Sequence, residues 1–153
     1  MRLLAMGANT DITAMQFSLD LSLPHGTTID VTAMTLYANG KVQGDGDMCF
    51  YNQKSVWNGA LRLETASQDR QRFDVDLAKL PSAVEKIVVT AAIETPGKTF
   101  AHAGGLTVTG PSFSMLVDGT QRQESALILC EVYKRNGKWK FRNVSQGFNG
   151  GLA

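Results

Sequence analysis
The sequence predicts an all-β fold: a two-sheet antiparallel β-sandwich with one short helical turn. Three observations carry this expectation. Apolar residues fall in short alternating runs, the period of strands with one buried and one wet face. Gly, Asn and Pro separate the runs, as turns between short strands require. No stretch sustains a 3.6-residue apolar repeat. In order, strands are expected at 13–21 (TAMQFSLDL), 29–38 (IDVTAMTLYA), 47–51 (DMCFY), 60–65 (ALRLET) and 70–77 (RQRFDVDL). A helical turn follows at 78–84 (AKLPSAV), then strands at 86–95 (KIVVTAAIET), 112–118 (SFSMLVD), 125–135 (SALILCEVYKR) and 138–145 (KWKFRNVS). Asn39-Gly40 closes the second strand, and Ser55, Asn58 and Gly59 mark a further turn.

The hairpin at 125–145 is the clearest local signal. Asn136-Gly137 supplies the two positive-φ residues that a type I′ turn demands. Pairing outward from that turn sets Val132 opposite Phe141 and Glu131 opposite Arg142. Trp139 and Phe141 then share a face with Ile128, Cys130 and Val132, while Lys138, Lys140 and Arg142 point the other way. Cys130 thus reads as a small core hydrophobe.

A chain of 153 residues forms one domain, 1–153, and buries enough surface to fold without disulfides. The Gly-rich end, Gly147 to Gly151, reads as a frayed terminus or a cut through a longer protein. Lys plus Arg (15) nearly cancels Asp plus Glu (14), against the clustered positive excess of a nucleic-acid surface. No window approaches the roughly 20 apolar residues of a membrane span, and the opening apolar run is too short for a secretory leader. Cys49 and Cys130 form no CxxC pair, and free thiols fit a cytoplasmic location.

Gly44-Asp45-Gly46-Asp47 is the most suggestive chemical segment. Two carboxylates two residues apart repel each other, and a hard divalent cation relieves that repulsion. Asp30 and Asn52 are further oxygen donors, since calcium takes 6–8 oxygen ligands. Against this, Asp and Gly are ordinary turn formers and the EF-hand spacing is missing. His25 and His102 lack metal-spaced partners. A Cys130–His102 nucleophilic pair conflicts with the inward face of Cys130. The basic stripe Lys134, Lys138, Lys140 and Arg142 reads as the solvated side of an outer strand before it reads as an anion or partner site. Trp57 reads as a packing residue at least as readily as an exposed recognition aromatic.

Several segments, taken in order, resemble one family. Asp30-Val31-Thr32-Ala33, Asn39-Gly40-Lys41-Val42, Asp45-Gly46-Asp47 and Phe50-Tyr51-Asn52-Gln53 are similar to the TerD domain of tellurium-resistance and stress-response proteins. So are Phe73-Asp74-Val75-Asp76-Leu77 with Leu80-Pro81, and the run from Glu131 through Asn136-Gly137-Lys138-Trp139-Lys140-Phe141-Arg142 to Gln146-Gly147-Phe148. The resemblance implies a β-sandwich that is not an enzyme and that binds calcium through acidic loops at one end. Carried over by position, Asp30, Asp45, Asp47 and Asn52 lie in the family's ligand-bearing segments. The family's "DLDAS" reads Asp30-Val31-Thr32-Ala33-Met34 here, so a hydroxyl replaces the second carboxylate. Its "LGWD" corresponds to Leu19-Asp20-Leu21-Ser22, and its "GDGDDE" loop is reduced to Thr65-Ala66-Ser67-Gln68-Asp69-Arg70. Calcium affinity follows ligand charge, so the site is depleted. The divergence resembles a TerA-type or otherwise atypical branch.

The expected function is a non-enzymatic TerD-like role in a cytoplasmic stress or tellurium-resistance system. It would work through protein partners, with a possible divalent metal, without nucleic acid and without membrane insertion. The alternatives are a sandwich that binds a small ligand or protein partner at its loop end without metal, and a thiol enzyme using Cys49 or Cys130.

Overall fold
The computed structural model of the chain describes residues 2–24, 26, 28–94, 97–103, 105–119 and 124–148, with backbone alone for 45, 102, 103 and 148. Its strands are β1 (Arg2–Leu3), β2 (Asn9–Asp11), β3 (Gln16–Ser22), β4 (Ile29–Leu36), β5 (Met48–Cys49), β6 (Ser55–Val56) and β7 (Leu61–Ser67). They continue as β8 (Arg70–Asp76), β9 (Lys86–Ile93), β10 (Leu106–Thr109), β11 (Phe113–Val117), β12 (Ala126–Arg135) and β13 (Lys138–Phe148). A one-turn helix α1 (Phe100–Ala103) and 3-10 turns at Asp45–Asp47, Trp57–Gly59 and Leu77–Lys79 complete the chain.

Two sheets form, as the alternating runs require. One has seven strands in the order β1-β11-β10-β3-β8-β7-β6, the other six in the order β2-β13-β12-β9-β4-β5. The pairings are antiparallel except β1 with β11, which is parallel. The seven-stranded sheet turns inward Phe17, Leu19, Leu21, Leu61, Leu63, Phe73, Val75, Val108, Phe113 and Met115. The six-stranded sheet answers with Ile29, Val31, Ala33, Ile87, Val89, Ala91, Leu127, Leu129, Val132 and Phe141. The rings of Phe113 and Phe141 meet at 4.2 Å between centroids, joining the layers. Gly110 makes that contact possible. A Cβ there would stand 2.3 Å from the Phe113 ring.

The hairpin forms in the expected register, with Val132 opposite Phe141 and Glu131 opposite Arg142. Asn136 and Gly137 take φ of 54° and 76°. One detail differs. A register shift between Ile128 and Cys130 leaves Leu129 and Cys130 both buried and takes Ile128 out of the core cluster, so Ile128 does not share the face of Cys130.

Other expectations are also corrected. β3 begins at Gln16, β5 shrinks to two residues, and the helical turn expected at 78–84 occupies Leu77–Lys79. β1, β2, β6, β10 and α1 were not expected, since runs this short carry little periodicity. Gly147 belongs to β13 opposite Leu127, while 149–151 lie outside the described residues.

The first residues strap the two layers together. Leu4 N–H donates to Ser114 O (2.8 Å) in one sheet, and Gly7 N–H to Asn143 O (2.7 Å) in the other. The buried Asn143 also donates its amide to Leu4 O (2.9 Å).

Two substitutions test this packing by urea denaturation. Phe141→Ala should cost about 3–5 kcal/mol through lost burial and a residual cavity. Gly110→Ala, which drives a methyl into the Phe113 ring, should cost about 1–3 kcal/mol.

Candidate functional site
Asp47 ends the 3-10 turn that closes the β4–β5 connection, and it is buried. Its Oδ1 accepts from the hydroxyls of Thr35 (3.2 Å) and Tyr37 (3.1 Å). Its Oδ2 accepts from the backbone N–H groups of Gln43 (2.6 Å) and Gly44 (3.2 Å). The network extends outward, because Trp57 Nε1–H donates to Thr35 Oγ1 at 3.1 Å. Burial, followed by the bond to Asp47, holds the Tyr37 phenol above its ordinary pKa. This carboxylate organises a loop: it collects donors that would otherwise be left unpaired.

Asp30 lies near the opposite end of the same strand. It pairs in register with Ala92, two residues before Glu94. Burial and then the hydrogen bond and charge of Glu94 raise its pKa to about 6. From Asp30 to Thr35, where Asp47 binds, β4 advances five residues, or roughly 16 Å. Asn52 occupies a separate exposed turn closed by mutual backbone bonds of Phe50 and Gln53. Asp45 has its backbone in the 3-10 turn, and its side chain lies outside the described residues.

Asp30 and Asp47 therefore do not share one centre. Both oxygens of Asp47 are already engaged by protein donors, and six or more oxygens are needed to satisfy calcium. Among the described residues, no three His, Cys, Asp or Glu side chains gather as metal ligands. The expected clustering of Asp30 with Asp47 at one tip is corrected: the length of β4 separates them. Sequence reasoning missed Glu94 as the neighbour of Asp30, and Thr35 and Tyr37 as donors to Asp47. The first follows from the β4–β9 register and the other two from the way the β4–β5 connection folds back on β4, neither of which a local motif encodes.

The remaining candidates resolve as follows. Cys49 and Cys130 are fully buried; burial pushes the Cys49 thiol up to about 12 and Cys130 higher still. His25 lies outside the described residues, and His102 is in α1 with only its backbone described. Trp57 is half-buried in the Asp47 network. On the outer face of the six-stranded sheet, Arg142 lies over the Tyr133 ring at 4.9 Å and pairs with Glu131 at 3.3 Å. Lys86 meets the other Glu131 oxygen at 3.3 Å, and Lys140 pairs with Asp11 at 3.4 Å. Lys134 leaves that face: it lies over Trp139 at 5.3 Å and donates to Ser82 O. No helix of the described residues is long and apolar enough to cross a membrane.

The family model for the TerD domain matches residues 4–153. The chain belongs to the TerD family. It is 32% identical over 143 residues to the tellurium resistance protein TerD of Serratia marcescens, covering 82% of this chain and 73% of that protein. It is 38% identical over 110 residues to the tellurium resistance protein TerA of an Alcaligenes species, covering 69% of this chain but 32% of that protein. General stress protein 16U of Bacillus subtilis is 27% identical over 151 residues, covering 84% of this chain and 75% of that protein. The fold matches a crystal structure of a TerD homologue from Streptomyces coelicolor at a TM-score of 0.69 and 19% identity, over 88% of this chain and 90% of that one. The TerD-domain sandwich is thus established, including its two-sheet architecture.

Two variants probe the carboxylates. Asp47→Ala should cost roughly 2–4 kcal/mol by removing the charged acceptor shared by the Thr35 and Tyr37 hydroxyls and the Gln43 and Gly44 N–H groups, with or without calcium in the buffer. The raised Asp30 pKa means that the folded state holds a proton between pH 4 and 6 that the unfolded state has lost, so this group's contribution to stability falls as pH rises through 6. Asp30→Asn should therefore raise the melting temperature relative to the parent at neutral pH, and the gain should vanish near pH ~4.

Proposed function
We propose that this TerD-domain chain serves a cytoplasmic stress-response or tellurium-resistance system without catalysis, through protein partners. The observation that carries this reading is the family match along residues 4–153. Its relatives are named for tellurium resistance, chemical-damage resistance and general stress. The sealed thiols support the non-enzymatic part, since a nucleophilic cysteine needs an accessible thiolate and both of these are buried with raised pKa. The partly exposed Arg142 and Lys86, held in place around the buried Glu131, support partner contact, because an ordered Arg is a common anchor of interfaces.

Calcium enters this reading only as a weak accessory. The four positions implied by the family resemblance lack a common centre, and the Asp47 carboxylate would have to release its protein donors to serve. The module acts with its fold independent of metal, at surfaces built by strands and turns.

Two experiments test it. In a host lacking the chain and sensitised to tellurite or oxidative stress, Cys49→Ala/Cys130→Ala should restore tolerance as well as the parent does. Lost tolerance from a folded double variant would return thiol chemistry to the mechanism. Melting temperature in millimolar calcium and in chelator should agree within about a degree, whereas saturating binding would add a few kcal/mol, or several degrees. A rise of that size, abolished by Asp30→Asn, would overturn the accessory role and place a cation beside Asp30 and Glu94.

A further inference from the structure
Two cationic side chains converge over Gly59 on the outer side of the seven-stranded sheet. The turn Trp57-Asn58-Gly59 holds three successive residues in left-handed backbone, with φ of 54°, 55° and 87°. Such a run is costly at the first two positions, which carry side chains. It turns the bare side of Gly59 toward an open cleft of about 470 Å³, whose walls include Gln16, Asn58, Arg62, Asp74, Asp76 and Lys79. A Cβ at Gly59 would stand 3.7 Å from Arg62 Cδ and 3.9 Å from Lys79 Nζ, so the Arg62 stem and the Lys79 ammonium both lie over one bare point of backbone.

The charges in this cleft are not matched among themselves. Asp74 Oδ1 takes the Ser18 hydroxyl (2.6 Å) and the Arg72 Nε (2.9 Å), and Arg72 also reaches its Oδ2. Asp76 takes the Gln16 amide (3.0 Å) on one oxygen and the Ala78 N–H (3.2 Å) on the other. Asp74 stands opposite Arg62 in the β7–β8 register, yet its carboxylate is turned to Arg72 and Ser18. Among the described residues, Lys79 Nζ reaches only the carbonyl of Asn58, at 3.5 Å. Among the described residues, Arg62 makes no hydrogen bond or ion pair. Among the described residues neither Arg62 nor Lys79 has an ion-pair partner; Asp76, held by neutral donors, keeps one negative charge on the same wall, so the two cations outnumber it.

We propose that this cleft binds an oxyanion, a group of the carboxylate or phosphate class, between the Arg62 guanidinium and the Lys79 ammonium, with Asn58 on its wall. The planar guanidinium offers two parallel N–H donors to a pair of oxygens, and the ammonium adds a point charge from a second direction. The left-handed backbone at Gly59 favours glycine there and keeps this point bare. Both cations are solvent-exposed, so binding is weak and sensitive to salt. This site is distinct from Asp30, Asp47 and the basic hairpin, and it stands whether or not the chain works through protein partners.

Amide and side-chain NMR of the full chain tests it, with inorganic phosphate, tellurite and acetate as separate probes at low salt. Saturable shifts should centre on Asn58, Gly59, Arg62 and Lys79, with a dissociation constant on the order of millimolar that weakens several-fold at about 300 mM salt. Phosphate or tellurite binding without acetate binding would identify an inorganic oxyanion; acetate binding as well would extend the site to carboxylates of peptides or metabolites. Arg62→Gln/Lys79→Gln should lower affinity at least about tenfold, equal to 1.4 kcal/mol. Lys79→Gln alone should weaken it by a smaller factor, and serves if the double variant misfolds. Lys138→Gln/Lys140→Gln should leave binding unchanged. Linear, unsaturated shifts with all three probes, shifts centred on the basic hairpin, or full binding by the folded Arg62→Gln/Lys79→Gln variant would each overturn the proposal.

Discussion

The single dry interface between the two sheets governs the rest of this molecule. Each central strand gives alternate side chains to that interface, and the contact of Phe113 with Phe141 spans it. Residues on the inner faces are therefore committed to packing at near-crystalline density. Both thiols fall on that side, which removes them from chemistry. Whatever this TerD-domain chain recognises must be recognised by outer strand faces and by turns, where polar side chains can point to water.

The carboxylates show how the same residue type divides between two tasks. Asp47 lies in a segment whose acid-glycine pattern suits a cation, yet its oxygens are filled by hydroxyls and N–H groups of its own loop. A short acceptor with two oxygens, itself buried beneath an exposed loop, is an efficient way to hold several donors together. Asp30 is instead set beside another acid, where partial burial, then the hydrogen bond and charge of Glu94, favour a proton. One acid is a structural acceptor and the other a weakly acidic group, although the sequence writes both as aspartate.

Much of the fold was legible before any coordinates. The period-two runs and the Asn136-Gly137 turn gave the class, the long strands and the register of the last hairpin, because turn chemistry and alternation act locally. The bulge at Leu129 was not legible: an inserted residue leaves no mark on composition and reveals itself only through its partners. β1 and β2 escaped for a related reason, since strands of two or three residues owe their form to neighbours far along the chain. The same limit applied to the candidate site. Each carboxylate was visible in the sequence, but which of them would meet depended on the pairing of β4 with β9.

The strap at the start of the chain has a consequence for how the protein is made. Leu4 and Asn143, joined by a hydrogen bond, are separated by 139 positions. On a ribosome that emits about 5–20 residues per second, the first turns emerge roughly ten seconds before their anchor exists. For that interval, Leu4 and the edge it will cover remain open to water and to other chains. The clasp can snap shut only once Asn143 has followed Leu4 out, so this edge of the sandwich waits on the last hairpin.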